Sequence, residues 1–235
     1  MTRKLINFLT MLLAVLCCTA ASAGDYEDGV VAYEGKDYAT AFNKFKTVAV
    51  RGDAKAQANL GFMYSEGQGV AQDYPEAVRW YKLAAAQGVT GAQNNLGLMY
   101  KNGLGVIKDE AEAVRWFKLA ATRGAEEAQL NLGVMYEKGQ GVVQDKTEAV
   151  RWYRLAAAQG EVSAQANLAM AHALGVGAVK DYKKAYMWGK LAEAQGNIFF
   201  SLMSDIFVNG MTPQEIAEAQ KMVRECEARK FKKCD

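Results

Sequence analysis

The residues able to do covalent or acid–base chemistry are few: one histidine, His172, and four cysteines, Cys17, Cys18, Cys226 and Cys234. A histidine can act as a general base, activate a neighbouring thiol or ligate a metal. His172, however, stands in a register with Tyr64, Tyr100 and Tyr136, which marks it as a substituted packing residue. Most His/Cys metal sites need more ligands than this chain offers. The Gly-x-Gly turns, such as Gly67-Gln68-Gly69, follow helical patterns and lack the lysine and hydroxyl of a phosphate loop. They read as turns. Arg79, Arg115 and Arg151 form a basic row, but Glu76, Glu112 and Glu148 lie three residues before them, where a helix would pair the two. The expectation is therefore a protein with no catalytic residue, no cofactor and no metal.

What positions these residues is a repeat. At a shift of 36 residues, Gly52, Gly88, Gly124, Gly160 and Gly196 align, as do all four tryptophans, Trp80, Trp116, Trp152 and Trp188. The same register holds Gln57, Gln93, Gln129 and Gln165, Asn59, Asn95, Asn131 and Asn167, Leu60, Leu96, Leu132 and Leu168, and Asp73, Asp109, Asp145 and Asp181. Four full repeats follow, at 53–88, 89–124, 125–160 and 161–196, with a shortened unit at 24–52 and a divergent one at 197–235. Atypical end units suit a stacked array, whose outer faces must meet water.

Each repeat reads as two helices. Ala56, Leu60, Met63 and Tyr64 have helical spacing, and Gly61 leaves room for a close neighbour. The second helix opens at Asp73 with Glu76 three residues on, the pattern of a capping box, repeated at Asp109 with Glu112 and Asp145 with Glu148. Lys184 replaces the acid after Asp181, so the fourth start is predicted to be the weakest. Ala77, Trp80, Leu83 and Ala84 supply the apolar stripe. Near the end, Thr212-Pro213-Gln214-Glu215 opens one more helix, through Ile216, Ala219, Met222 and Val223.

The order Ala-Gln-x-Asn-Leu-Gly-x-Met-Tyr, Gly-x-Gly-Val, Ala-Val-Arg-Trp-Tyr-Lys-Leu-Ala-Ala closely resembles the Sel-1-like repeat family. That resemblance implies an all-α fold, a right-handed α-solenoid of antiparallel helix pairs related to tetratricopeptide arrays, and an adaptor role between proteins. Some cysteine-rich secreted relatives are linked to β-lactam binding. This chain lacks Ser-x-x-Lys and has no cysteine in any full repeat, so a cell-wall or β-lactam hydrolase is the lesser alternative, beside a purely structural envelope spacer.

Residues 1–23 read as a cleaved secretory signal: Arg3 and Lys4, an apolar run from Leu5 to Cys18, then Ala21-Ser22-Ala23. Its apolar run is shorter than the roughly 20 residues of a membrane span. Cleavage would leave 26 cations and 26 acids, a neutral balance that removes the electrostatic case for nucleic-acid binding. The 51% apolar content with two prolines excludes disorder. Cys226 and Cys234 would remain, and in an oxidising periplasm or outside the cell they are expected to pair. On a straight helix they would stand about 12 Å apart, beyond the roughly 7 Å a bridge spans, so the last helix must stop near Arg229 and fold back.

The partner should be a protein or peptide, and the expected contact is the row Phe62, Leu98, Val134 and Met170. With Leu60 at zero and about 100° per residue, this position falls near 200°, away from the packed side, yet it is apolar in every repeat. By the resemblance, first helices line a concave surface, and this row would floor its groove. It could equally pack against the next repeat. Asn59, Asn95, Asn131 and Asn167 run beside it, either joining adjacent helices or gripping an extended peptide backbone. No stable membrane insertion is expected once the signal is removed.

Overall fold

The computed structural model describes residues 24–198, 200 and 207–234, and the expected signal at 1–23 lies outside them. Among the described residues there are helices and turns and no strand. They form two compact units, one ending at Ile107 and one starting at Lys108.

The first unit holds α1 (24–34), α2 (Tyr38–Ala49), α3 (Ala54–Glu66), α4 (Tyr74–Ala86) and α5 (Thr90–Asn102). The second holds α6 (Glu110–Ala121), α7 (Glu126–Lys138), α8 (Lys146–Ala157), α9 (Val162–Leu174), α10 (Tyr182–Ala194) and α11 (Pro213–Ala228). From α2 onward in the first unit, and throughout the second, each helix packs against the next. Each unit is thus a stretch of α-solenoid built from helix pairs.

The starts and stops follow from side chains. Asp37, Asp53, Asp73, Asp109, Asp145 and Asp181 each accept the backbone N–H three residues on, satisfying a donor the helix cannot. The second-helix starts differ from the expected capping box. Asp73 N–H donates to the Tyr64 carbonyl (3.0 Å), and the Glu76 carboxylate turns outward to Arg79. Arg115 with Glu112 and Arg151 with Glu148 repeat that pairing. Position 184 therefore loses less than expected, because Asp181 still caps Lys184 N–H at 3.1 Å. Only Thr212 and Glu215 close a reciprocal box among the described helices.

First helices end on Gly67, Gly103, Gly139 and Gly175 in the left-handed region. The second turn glycine is equally constrained: a Cβ on Gly141 (φ 67°) would strike the Glu110 backbone at the start of the preceding second helix.

Ala56, Leu60 and Met63 are fully buried, as their spacing implies. The second-helix stripe needs correcting. Leu83, Leu119 and Leu155 are 42–45% exposed, and Val78 and Tyr81 lie inside instead, because the buried face runs through Ala77, Trp80, Tyr81 and Ala84. Leu191, in the same register, is buried in the closing cluster with Phe200 and Phe207. Trp80, Trp152 and Trp188 are buried, whereas Trp116 is half-buried.

The expectation of a close neighbour at Gly61 is met by an aromatic ring: a Cβ there would sit 2.6 Å from Tyr81 Cδ1, and at Gly133 2.5 Å from Tyr153 Cε1. In the fourth repeat the small residue changes sides, Ala169 facing the register where Gly189 replaces tyrosine, and the Phe200 ring occupies the space over Gly189.

Cys226 and Cys234 form a disulfide with Cα atoms 5.2 Å apart. The helix stops at Ala228, and the tail reverses through Lys230 (φ 52°) and Phe231 (φ 65°), with Phe231 N–H returning to the Cys226 carbonyl. Phe231 packs on the core of the second unit.

Candidate functional site

The row expected to meet a partner is not uniform. Phe62 is 38% exposed, whereas Leu98, Val134 and Met170 are half-buried. Val134 packs against the core of the second unit, which is the inter-repeat arrangement. Phe62 and Met170 each open on a cleft, and each has the asparagine three residues earlier beside it. Leu98 and Val134 line neither cleft.

In the first unit the cleft is a groove of about 530 Å³. Its walls are Tyr26, Val30, Tyr33 and Glu34 of α1 and Asn59 and Phe62 of α3, over Phe45 of α2. Tyr26, Val30 and Tyr33 recur at four and three residues, so one face of α1 carries them all. Gly29 lets α1 approach: a Cβ there would lie 2.8 Å from Phe45 Cε1. The Tyr26 and Phe45 rings meet at 5.6 Å between centroids. Tyr33 is fixed by donating its hydroxyl to Gln68 Oε1 (2.8 Å), in the turn after α3.

The asparagines are partly engaged within the fold. Asn95 Nδ2 donates to the Tyr81 hydroxyl at 3.1 Å, joining α5 to α4, and Asn59 Nδ2 reaches the Tyr26 hydroxyl at 3.5 Å. Asn131 is half-buried, and Asn167 lines the second cleft.

That second cleft is tight, about 70 Å³, between α8 and α9. Tyr153 donates its hydroxyl to Glu137 Oε2 (2.7 Å) at its edge. Burial, then the hydrogen bond and charge of Glu137, push the Tyr153 phenol well above its ordinary pKa. The Tyr153 hydroxyl thus acts as a hydrogen-bond donor to Glu137, tying α8 to α7. His172 is 2% exposed, with Nδ1 3.1 Å from the Val179 carbonyl, packed as its tyrosine register implies. No group of three or more metal-ligating side chains occurs among the described residues.

The glutamine register has a role that its recurrence alone did not reveal. Gln57, Gln93, Gln129 and Gln165 are buried, and each sends Nε2 to the carbonyl eight residues earlier, at Ala49, Ala85, Ala121 and Ala157. The Oε1 atoms of Gln57, Gln129 and Gln165 accept from Gln87, Gln159 and Gln195. The sequence carries Arg123 in that second register, and Gln93 Oε1 is buried without a hydrogen bond. The 30-residue spacing between the two glutamine rows was the available signal.

The geometry is that of a repeat scaffold presenting clefts between helices. A family model for the Sel1 repeat matches residues 54–89, 90–124, 126–161 and 162–197, more than half of the chain. The chain belongs to the Sel1 repeat family. A Sel1 repeat protein from Oxalobacter formigenes is 34% identical over 87% of this chain and 88% of its own, with a TM-score of 0.75. A protective antigen of uropathogenic Escherichia coli with this fold is 30% identical over 88% of this chain, TM-score 0.76, but the chain spans only 46% of its length. An immunity protein from Pseudomonas aeruginosa, 19% identical over 92% of this chain and 84% of its own, shares the fold at a TM-score of 0.52. No curated protein matches significantly. Sel1 repeat proteins are generally scaffolds for protein interactions.

Proposed function

We propose that this protein is an exported adaptor, periplasmic or secreted, that binds a protein or peptide partner through its first-helix face. Of the row Phe62, Leu98, Val134 and Met170, the contacts are Phe62 with Asn59 in the first unit and Met170 with Asn167 in the second. The observation that carries this reading is Phe62: a large aromatic left 38% exposed beside an open groove, on a helix whose other apolar residues are consumed by packing. Exposed apolar surface at a concavity marks interaction sites. Export is supported by the disulfide, since such bonds persist in oxidising compartments. No described helix is long and apolar enough to cross a membrane.

The test is capture in cells. A protein carrying Phe62→Ser and Met170→Ser should lose the crosslinked partner seen with the parent while keeping its helicity and melting temperature. Intact capture by the folded double variant would refute the face. Export is checked by intact mass from the envelope fraction, which should begin at Gly24.

A further inference from the structure

The groove on the first unit has a chemistry more specific than apolarity. Four aromatic residues, Tyr26, Tyr33, Phe45 and Phe62, share it with one carboxylate, Glu34, and one amide, Asn59. Its one charged group is a carboxylate. Asn59 Nδ2 reaches the Tyr26 hydroxyl at 3.5 Å and the Tyr33 hydroxyl proton is committed to Gln68, while the Glu34 carboxylate and Asn59 Oδ1 are the acceptors the groove offers. Glu34 is exposed and has no ion-pair partner among the described residues.

The α1 side of the groove is acidic in sequence, whereas α3 carries Lys55 before Asn59. Residues 25–37 hold five acids, Asp25, Glu27, Asp28, Glu34 and Asp37, against the single cation Lys36. Lys44 engages Asp25 (3.0 Å) and Asp28 (2.9 Å) and leaves the others unbalanced. An unpaired carboxylate, Glu34, beside aromatic walls attracts a cation and rewards one that is flat and weakly hydrated.

We propose that this groove receives an arginine side chain of the partner segment, its guanidinium stacked on the aromatic walls and donating to Glu34 and Asn59 Oδ1. Arginine fits for three reasons. It has five donors, enough to serve the Glu34 carboxylate and Asn59 Oδ1 together. Its planar face stacks on aromatic rings, which an ammonium cannot do. Its long apolar stem covers the apolar wall at Val30 and Phe62. A lysine would supply the charge alone, and a leucine would leave Glu34 and Asn59 desolvated and unpaired. This inference rests on the adaptor reading above and assigns the chemistry of one of its contacts.

The experiment titrates the purified protein with N-acetyl-arginine methylamide, its neutral citrulline analogue and the lysine analogue, following Tyr ring and Asn59 side-chain resonances by NMR. The expected result is saturable shifts at Tyr26, Tyr33 and Asn59 with arginine, about tenfold weaker binding of citrulline and about threefold weaker binding of lysine. Glu34→Gln, at an exposed position, should bring arginine down toward citrulline with the melting temperature unchanged. Phe62→Ala should weaken arginine by about threefold. Equal binding of arginine and citrulline, no shift at Tyr26 or Tyr33, or an unaffected Glu34→Gln variant would each overturn the proposal. The two readings fail separately: capture through position 62 without arginine preference sinks only this inference, and arginine binding without any cellular partner sinks only the adaptor role.

Discussion

The exposed Gln159 should matter to stability as much as the buried Gln129 to which it bonds. Gln129 Nε2 donates to the Ala121 carbonyl (3.1 Å), and its Oε1 accepts from Gln159 Nε2 (2.8 Å). In Gln129→Leu, the apolar replacement fills a similar volume. The Ala121 carbonyl keeps its bond from Gly124 N–H, and Gln159 turns to water. The loss is then one net hydrogen bond, about 1–1.5 kcal/mol. In Gln159→Ala, by contrast, a 4% exposed residue keeps an acceptor with no partner, which costs about 1–3 kcal/mol. Removing both leaves no orphan, so the double variant should cost less than the sum by about 1 kcal/mol. Gln93 is an internal control: its Oε1 already lacks a partner, so Gln93→Leu should cost less than Gln129→Leu. Urea unfolding followed by far-UV circular dichroism measures all four free energies. A Gln159→Ala variant within about 0.3 kcal/mol of the parent, or strict additivity in the cycle, would refute the reasoning.

Trp188→Ala should cost about 3–5 kcal/mol, since the ring is 2% exposed, and Trp116→Ala clearly less, since that ring is half-buried; the same urea assay ranks them. Hydrogen bonds from Thr212 hold the Glu215 carboxyl below its ordinary pKa, and Arg79 does the same for Glu76. A depressed carboxylate stabilises the fold above its unfolded pKa, so this support should be lost as pH falls from the usual carboxylate range through the lower folded values. The protection of first-turn amides of α11, taken relative to the intrinsic exchange rate at each pH, should fall over that interval, and less so in Thr212→Ala, where the cap is already weakened. Cys234→Ser should free the tail, weakening α11 by about 2–3 kcal/mol in the chain-entropy model, with exchange of the Phe231 amide as the readout.

Much of the fold was legible because a stacked array demands identical packing at every step. Leu60, Leu96, Leu132 and Leu168 are all fully buried, and one residue type at 36-residue spacing was enough to say so. The helix stop near Arg229 was legible for a different reason, since two cysteines eight residues apart cannot bridge along a straight helix. Leu83 departs from the expected stripe because helical spacing fixes which residues share a face but not where the buried arc is centred; Tyr81 takes the inner place and Leu83 the rim. Glu76 departs from the capping box because the motif does not reveal competition, and Arg79 offers a charged partner on the next turn. The candidate site was legible only in part. Phe62 and Asn59 are visible as registers, but the groove also needs Tyr26 and Tyr33 from α1, which precedes the four full repeats and is shifted out of their 36-residue register by the shorter turn at 35–37.

The central claim is that a partner sits on the first-helix face beside Phe62. The direct measurement is photo-crosslinking in intact cells with benzoyl-phenylalanine placed at position 62 or, as a comparison, at position 83, an equally exposed apolar site on a second helix. One dominant protein adduct is expected from position 62, absent from position 83. Adducts of equal yield and identity from both positions, or none from position 62, would contradict it.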